Sequence, residues 1–188
     1  MLTHLRPAIV LFLLLTVLTG LAYPMAITGL AQTLFPHQAN GSLIERDGKV
    51  IGSALIGQSF TGEKYFHTRP SATSPAYNAA ASSGANLGST SKAMLERVSG
   101  EAAKLKAENP GTPIPVDLAT ASSSGLDPQI SPAAALFQVP RVAKARGVSE
   151  DDLRALITDH TEGRWLGWLG EPVVNVLQLN LALDASHH

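Results

Sequence analysis

The sequence predicts a single N-terminal transmembrane helix followed by one small mixed α/β domain that is exported across the membrane. Three observations predict it. No Asp, Glu, Lys or Arg occurs between Pro7 and Ile44, whereas charges recur at ordinary density beyond. The charged remainder is long enough for one domain with its own core and too short for two comfortable ones. Within it, turn signals separate segments of helical spacing from short β-branched runs. The expected division is residues 1–34 as the N-terminal segment and 35–188 as the extracytoplasmic domain.

The anchor is read over about 23 residues, Ala8 to Leu30, enough for a hydrocarbon core of about 30 Å at 1.5 Å per residue. Pro7 suits a first helical turn, and Pro24 lies near the far end, where a missing hydrogen bond is tolerated if the helix bends. The competing reading is a cleaved signal peptide. The apolar run exceeds the roughly 7–15 residues of such a segment, and no small-x-small site closes it. Arg6 precedes the span and the next basic residue is Arg46, so the positive-inside rule leaves the N-terminus in the cytoplasm and exports the rest. Thr16 and Gly20, with Thr28 and Gly29, interrupt the lipid-like face. They are the candidates for packing against a partner helix.

Beyond the anchor, Ser42 to Ile56 reads as a β-hairpin turning at Asp47-Gly48. Arg69 to Gly88 is a tract of small residues, read as a flexible loop or as an ordered partner-binding one. Ser89 to Glu108 is predicted helical, capped by Ser89, Thr90 or Ser91 and ended by Asn109-Pro110-Gly111. Val116 to Ala121 is expected as a short strand. Ser131 caps a helix that Pro140 should kink or split, and Ser149 to Asp152 is a capping box opening a helix to about His160. Val174 to Leu183 alternates with period two and is read as a strand, with a helix from Pro172 as the alternative.

From Pro7 on, 13 basic and 15 acidic residues leave a formal charge of −2, which recruits neither nucleic acid nor an anionic bilayer. With no cysteine, there is no disulfide framework and no thiolate metal site. His67 and His160 stand alone, no metal-ligand spacing exists, and His187-His188 is read as native or tag-derived without a choice between them. Ser89-Thr90-Ser91-Lys92 fits the S-x-x-K pattern of exported acyl transferases, so a serine hydrolase using Ser89 and Lys92 is the alternative function. Its partner motifs are absent, and helix capping accounts for the serines. Arg141, Lys144 and Arg146 form a basic helix face, read first as solvated surface and second as an interface. Trp165 and Trp168 are read first as core and second as interface. By residues alone no catalytic machinery is recognisable.

Several stretches carry a specific resemblance: Arg6-Pro7-Ala8 before the anchor, Tyr65-Phe66-His67-Thr68-Arg69-Pro70-Ser71, Ser83 to Gly88, Asp117 to Ser131, Val139 to Arg146, and Gly170 to Asp184. In this order and spacing the chain resembles the KdpC family, the C subunits of bacterial high-affinity potassium-transporting ATPases. The resemblance implies an inner-membrane complex with three partners: a channel-like potassium-translocating subunit, a P-type ATPase subunit and a small stabilising peptide. ATP and potassium are then handled by the complex, with no cofactor assigned to this chain. The family is described as a catalytic chaperone that raises the ATPase subunit's affinity for ATP through a Ser-Gly-Gly-Ser-Asn/Gln loop. The counterpart here is Ser83, Gly84, Ala85 and Asn86, which departs from that pattern at the second glycine and second serine. ATP is cytoplasmic and the charge reading exports this loop. Stabilising the channel-like subunit from outside, or shaping ion entry, is therefore the mechanism favoured.

Overall fold

The computed structural model describes residues 2–186, so His187 and His188 lie outside it. Contacts divide the chain into two compact units, Met1–Ile51 and Gly52–His188.

In the first unit, helix α1 runs Leu5–Leu34, long and apolar enough to cross a membrane. Its 30 residues span roughly 45 Å at 1.5 Å per residue, longer at both ends than the expected stretch. Leu18–Ala22 is a π turn, in which the Tyr23 N–H reaches the Leu18 carbonyl. The cause is Pro24: its ring has no N–H and would crowd the Gly20 carbonyl in a regular α-helix, and a widened turn just before it relieves the clash. From Thr3 to Leu34 every side chain is exposed except half-buried Ala31, as a lipid-facing span requires. A short helix α2, Pro36–Ala39, comes next. Strands β1 (Leu43–Arg46) and β2 (Lys49–Ser53) then pair as the expected hairpin. Its turn places Asp47 at φ 52° and Gly48 at φ 71°, the left-handed pair that a two-residue connection needs.

The second unit begins with irregular chain and continues through helices α3 (Lys92–Glu108) and α4 (Val116–Ala119), strand β3 (Gln129–Ile130), and helices α5 (Pro132–Arg146) and α6 (Glu150–Asp159). Strands β4 (Thr161–Glu162) and β5 (Val173–Asn175) and helix α7 (Val176–Ser186) complete it. The sheet order is β3-β5-β4, antiparallel throughout, with Val174 opposite both Ile130 and Thr161. Three strands this short cannot form a layer alone. The core lies where α5, α6 and α7 cover them, around Phe66, Ile130, Val139, Val142, Leu153, Ile157, Val174, Leu179 and Leu183. A mixed α/β domain behind one apolar helix is thus the fold.

Three local expectations need correction, and a fourth is narrowed. Val116–Ala119 is a helical turn, not a strand. It buries the adjacent residues Leu118 and Ala119 together, whereas a strand would point them to opposite faces. The Asp117 carboxylate accepts from the Ser131 N–H at 2.7 Å and the Ser131 hydroxyl at 3.2 Å. The tail is a strand only to Asn175 and then a helix. Val176, Leu177, Leu179, Asn180 and Leu183 are its buried residues, a helical set that also contains three of the leucines behind the period-two reading. Asn175 makes the switch, its side-chain oxygen accepting from the Gln178 N–H at 3.2 Å. Of the two effects expected of Pro140, the split does not occur: α5 continues to Arg146. The carbonyl that loses its donor belongs to Leu136, an exposed residue. The tract Arg69 to Gly88 is not a free loop. The Ser71 hydroxyl donates to the Gly125 carbonyl at 2.7 Å and accepts from the Tyr77 N–H at 3.0 Å, and Arg97 donates to the Ser71 carbonyl.

Candidate functional site

The interface residues foreseen in the anchor face outward. Gly20 has open space around it and sits inside the π turn. The Thr16 hydroxyl donates to the Phe12 carbonyl of its own helix at 2.8 Å, as do Thr19 to Leu15 and Thr33 to Gly29. These threonines offer a neighbouring helix a small surface and no free donor.

Ser83, Gly84 and Asn86 form a backbone joint. The Ser83 N–H donates to the Ser124 carbonyl at 3.0 Å, and the Ser83 hydroxyl to the Gly84 carbonyl at 3.1 Å. A β-carbon on Gly84 would lie 2.8 Å from the Ser123 carbonyl oxygen, so glycine is required by close backbone approach. Asn86 adopts φ 50°, a conformation asparagine tolerates. Beside the joint lies a cavity of about 200 Å³, lined by this loop, by Ser122 and Ser123, and by Arg97.

Arg141 is turned inward, which corrects the solvated-surface reading. Its guanidinium donates to Glu108 Oε1 at 2.8 Å, to the carbonyls of Glu63 at 2.5 Å and Tyr65 at 2.9 Å, and to Gln138 Oε1 at 2.7 Å. Arg146 likewise bonds the Lys64 carbonyl and Asp184 Oδ1, each at 2.7 Å, with its guanidinium 5.0 Å from the Tyr65 ring centre. Segment 63–67, a turn closed by the Tyr65 N–H on the Gly62 carbonyl and then irregular chain, has no strand partner, and side chains bind its backbone. Gln138 accepts from the His67 N–H at 2.8 Å and donates to the His67 carbonyl at 3.0 Å. Asn180 does the same for Phe66, both bonds at 2.9 Å. Neither amide was singled out from the sequence. The available signal was a lone Gln among the alanines and valines of α5 and a lone Asn among the leucines of α7. Burial, then the positive Arg141, holds the His67 imidazole below its ordinary pKa, partly opposed by the Gly62 carbonyl. Burial pushes the Tyr77 phenol up. The Tyr77 hydroxyl donates to the Arg69 carbonyl, and Arg69 pairs with Asp127 at 3.1 Å.

Trp165 and Trp168 are not core. Both are about two-thirds exposed, on a turn that also exposes Leu166 and Leu169.

The S-x-x-K residues do not assemble into a nucleophile and its base. Ser91, not Ser89, caps α3 by accepting from the Met94 N–H at 3.1 Å. Lys92 opens the helix with its ammonium 3.6 Å from Glu96, both strongly exposed. Among the described residues no three His, Asp or Glu side chains are grouped to hold a metal.

The model of a family described as KdpC, K+-transporting ATPase, c chain, matches residues 5–185. A protein of Rhodopseudomonas palustris, named potassium-transporting ATPase KdpC subunit, is 64% identical over 99% of this chain and 100% of its own length. A protein of the same name from Methylorubrum extorquens is 63% identical over 97% of each. One from Bradyrhizobium diazoefficiens is 62% identical over 98% of each.

Proposed function

This chain belongs to the KdpC family, and we propose that it acts as a non-catalytic, membrane-anchored subunit of an ATP-driven potassium importer. The observation that supports this most is the family match over residues 5–185, which takes in both the apolar α1 and the domain beyond it. In this reading α1 crosses the inner membrane with its N-terminus in the cytoplasm, since Arg6 stands before the span and Arg46 is the next basic residue. The domain lies outside. The partners are a channel-like potassium-translocating subunit, a P-type ATPase subunit and a small stabilising peptide, and ATP and potassium are handled by them. ATP does not reach Ser83, Gly84 and Asn86, whose geometry serves the backbone joint with Ser123 and Ser124. The work of the chain is to hold the complex together and to shape ion entry from outside. Gly20 and Thr16 pack in the membrane, and Trp165 and Trp168 are contact residues of the domain.

Purification of the tagged full chain from native membranes grown under potassium limitation tests the reading. A P-type ATPase polypeptide and a channel-like polypeptide should co-purify, and recovery of the chain alone overturns the proposal. A C-terminal reporter that works only outside the cytoplasm should be active, and an inactive reporter in a stable fusion reverses the orientation. Gly20→Leu should lower the yield of solubilised complex severalfold, since each such contact is worth on the order of 1 kcal/mol. Equal yields across several detergents would reduce α1 to a tether.

A further inference from the structure

The turn from Arg164 to Glu171 is well built yet leaves its apolar side chains unburied. Trp165 and Leu169 bridge each other through the Trp165 N–H to the Leu169 carbonyl at 2.8 Å and the reverse bond at 2.9 Å. The Gly167 N–H closes on the Arg164 carbonyl at 3.0 Å, and Arg164 and Glu171 clamp the neck at 2.7 Å. Inside this frame Leu166 is held at φ 52°, a strained conformation for a branched side chain, of the kind that concentrates at functional positions. What the frame displays is Trp165, Leu166, Trp168 and Leu169, exposed by 68%, 67%, 69% and 47%. Four large apolar side chains within five residues form a contiguous patch of the sort that marks an interaction surface, and tryptophans are the commonest anchors of such surfaces.

The surroundings say what covers it. A groove of about 360 Å³ at the foot of the turn is lined by Val116, Pro172 and Val173 together with Asp117, Glu171 and the ion pair Arg69–Asp127, whose charges cancel. Val116 is itself 74% exposed. Glu162 is exposed just before the neck. Among the described residues neither Asp117 nor Glu162 has an ion-pair partner, while the turn's one cation, Arg164, is neutralised by Glu171. A turn that dips into a bilayer brings unpaired Lys or Arg to the headgroups, and none is present. A second copy would set acid against acid across a two-fold axis. An apolar crevice edged by basic side chains fits both the indoles and the acidic rim, and its polar edge supplies acceptors for two indole N–H groups.

We propose that Arg164–Glu171 is a docking plug that seats Trp165, Leu166, Trp168 and Leu169 in a basic-rimmed apolar crevice on another subunit of the potassium ATPase. This rests on the reading of the chain as a subunit of that complex. The chain has no cysteine, so Leu166→Cys introduces the only thiol in this subunit. A benzophenone maleimide attached there, in the full chain assembled with its partners in native membranes, should give on irradiation an adduct with another subunit of the ATPase. The same label at Glu96→Cys on the exposed face of α3 should give at least tenfold less. Adducts to lipid alone, or to a second copy of this chain, overturn the plug. In parallel, the double variant Trp165→Ala with Trp168→Ala should keep its circular dichroism and urea midpoint while the yield of intact complex falls about tenfold or more. Undiminished yield overturns the plug and leaves the subunit reading intact. Failure of the wild-type chain to co-purify with any ATPase polypeptide removes the subunit reading itself.

Discussion

The arginines of α5 and the tryptophans of the 164–171 turn have exchanged the places that their polarity assigns them. Arg141 and Arg146 have side chains only 12% exposed, whereas the two indoles stand in solvent. The arginines are inside because segment 63–67 runs through the domain without a strand beside it, and its carbonyls need donors. A guanidinium supplies five in a fixed fork, and its methylene stem packs among apolar side chains. Glu108 and Asp184 balance the charge. The tryptophans are outside because their turn satisfies its own backbone and none of the described residues packs over it. The inward pair closes the domain on itself, and the outward pair leaves one face open to something else.

That contrast can be broken first at Arg141. Arg141→Met leaves Glu108 and two backbone carbonyls without their donor, and should destabilise the domain by about 3 kcal/mol. Arg141→Lys should recover only a small part, because an ammonium cannot reach acceptors spread over a fork. Urea unfolding of the full chain in detergent, followed by circular dichroism, reads both, and a change within error for Arg141→Met would mean that the fork is ornamental. Asn180→Leu should come next, at about 2 kcal/mol. It keeps the branched shape, with somewhat more bulk, but strips the Phe66 N–H and carbonyl of their partners in a buried site. Should the leucine variant prove as stable as wild type, segment 63–67 is not held by side-chain amides.

A smaller effect belongs to pH. His67 donates its backbone N–H to Gln138 beside Arg141, and its ring titrates lower in the fold than in the unfolded chain. The unfolded chain therefore binds the proton more readily, so stability rises with pH. The contribution of neutral His67 is complete above the unfolded value of about 6.5 and is lost as pH falls through it toward the folded value. His67→Gln should flatten that part of the stability–pH curve, and an unchanged slope assigns it to another group. The smallest change of all is expected for Trp165→Ala with Trp168→Ala, whose unfolding free energy should move by no more than about 0.5 kcal/mol. A large loss would make the tryptophans structural and erase the contrast with the arginines.

Much of the fold was legible because local chemistry decided it. The uncharged run from Pro7 to Ile44 gives α1, Asp47-Gly48 gives the hairpin, and Ser91, Ser131 and Ser149 each cap the helix that they precede. The candidate site was legible only in part. Gly20 and Thr16 are candidates on composition alone, as small residues that interrupt an otherwise lipid-like segment. The positions of Arg141, Trp165 and Trp168 depend on what happens to lie beside them. Sequence alone determined where the anchor, the hairpin and the capped helices lie, since each depends on residues within a turn or two of one another. Only the tertiary structure decided that Val116 and Val176 open helices where strands were expected. It also decided that the serine-rich tract is ordered, that two arginines are turned inward and that two tryptophans face outward. Most of those outcomes depend on a partner far along the chain, as with Asn180 and Phe66 or Ser71 and Gly125, which no local pattern encodes; the helix at Val176 also has a nearby device, the Asn175 cap on Gln178.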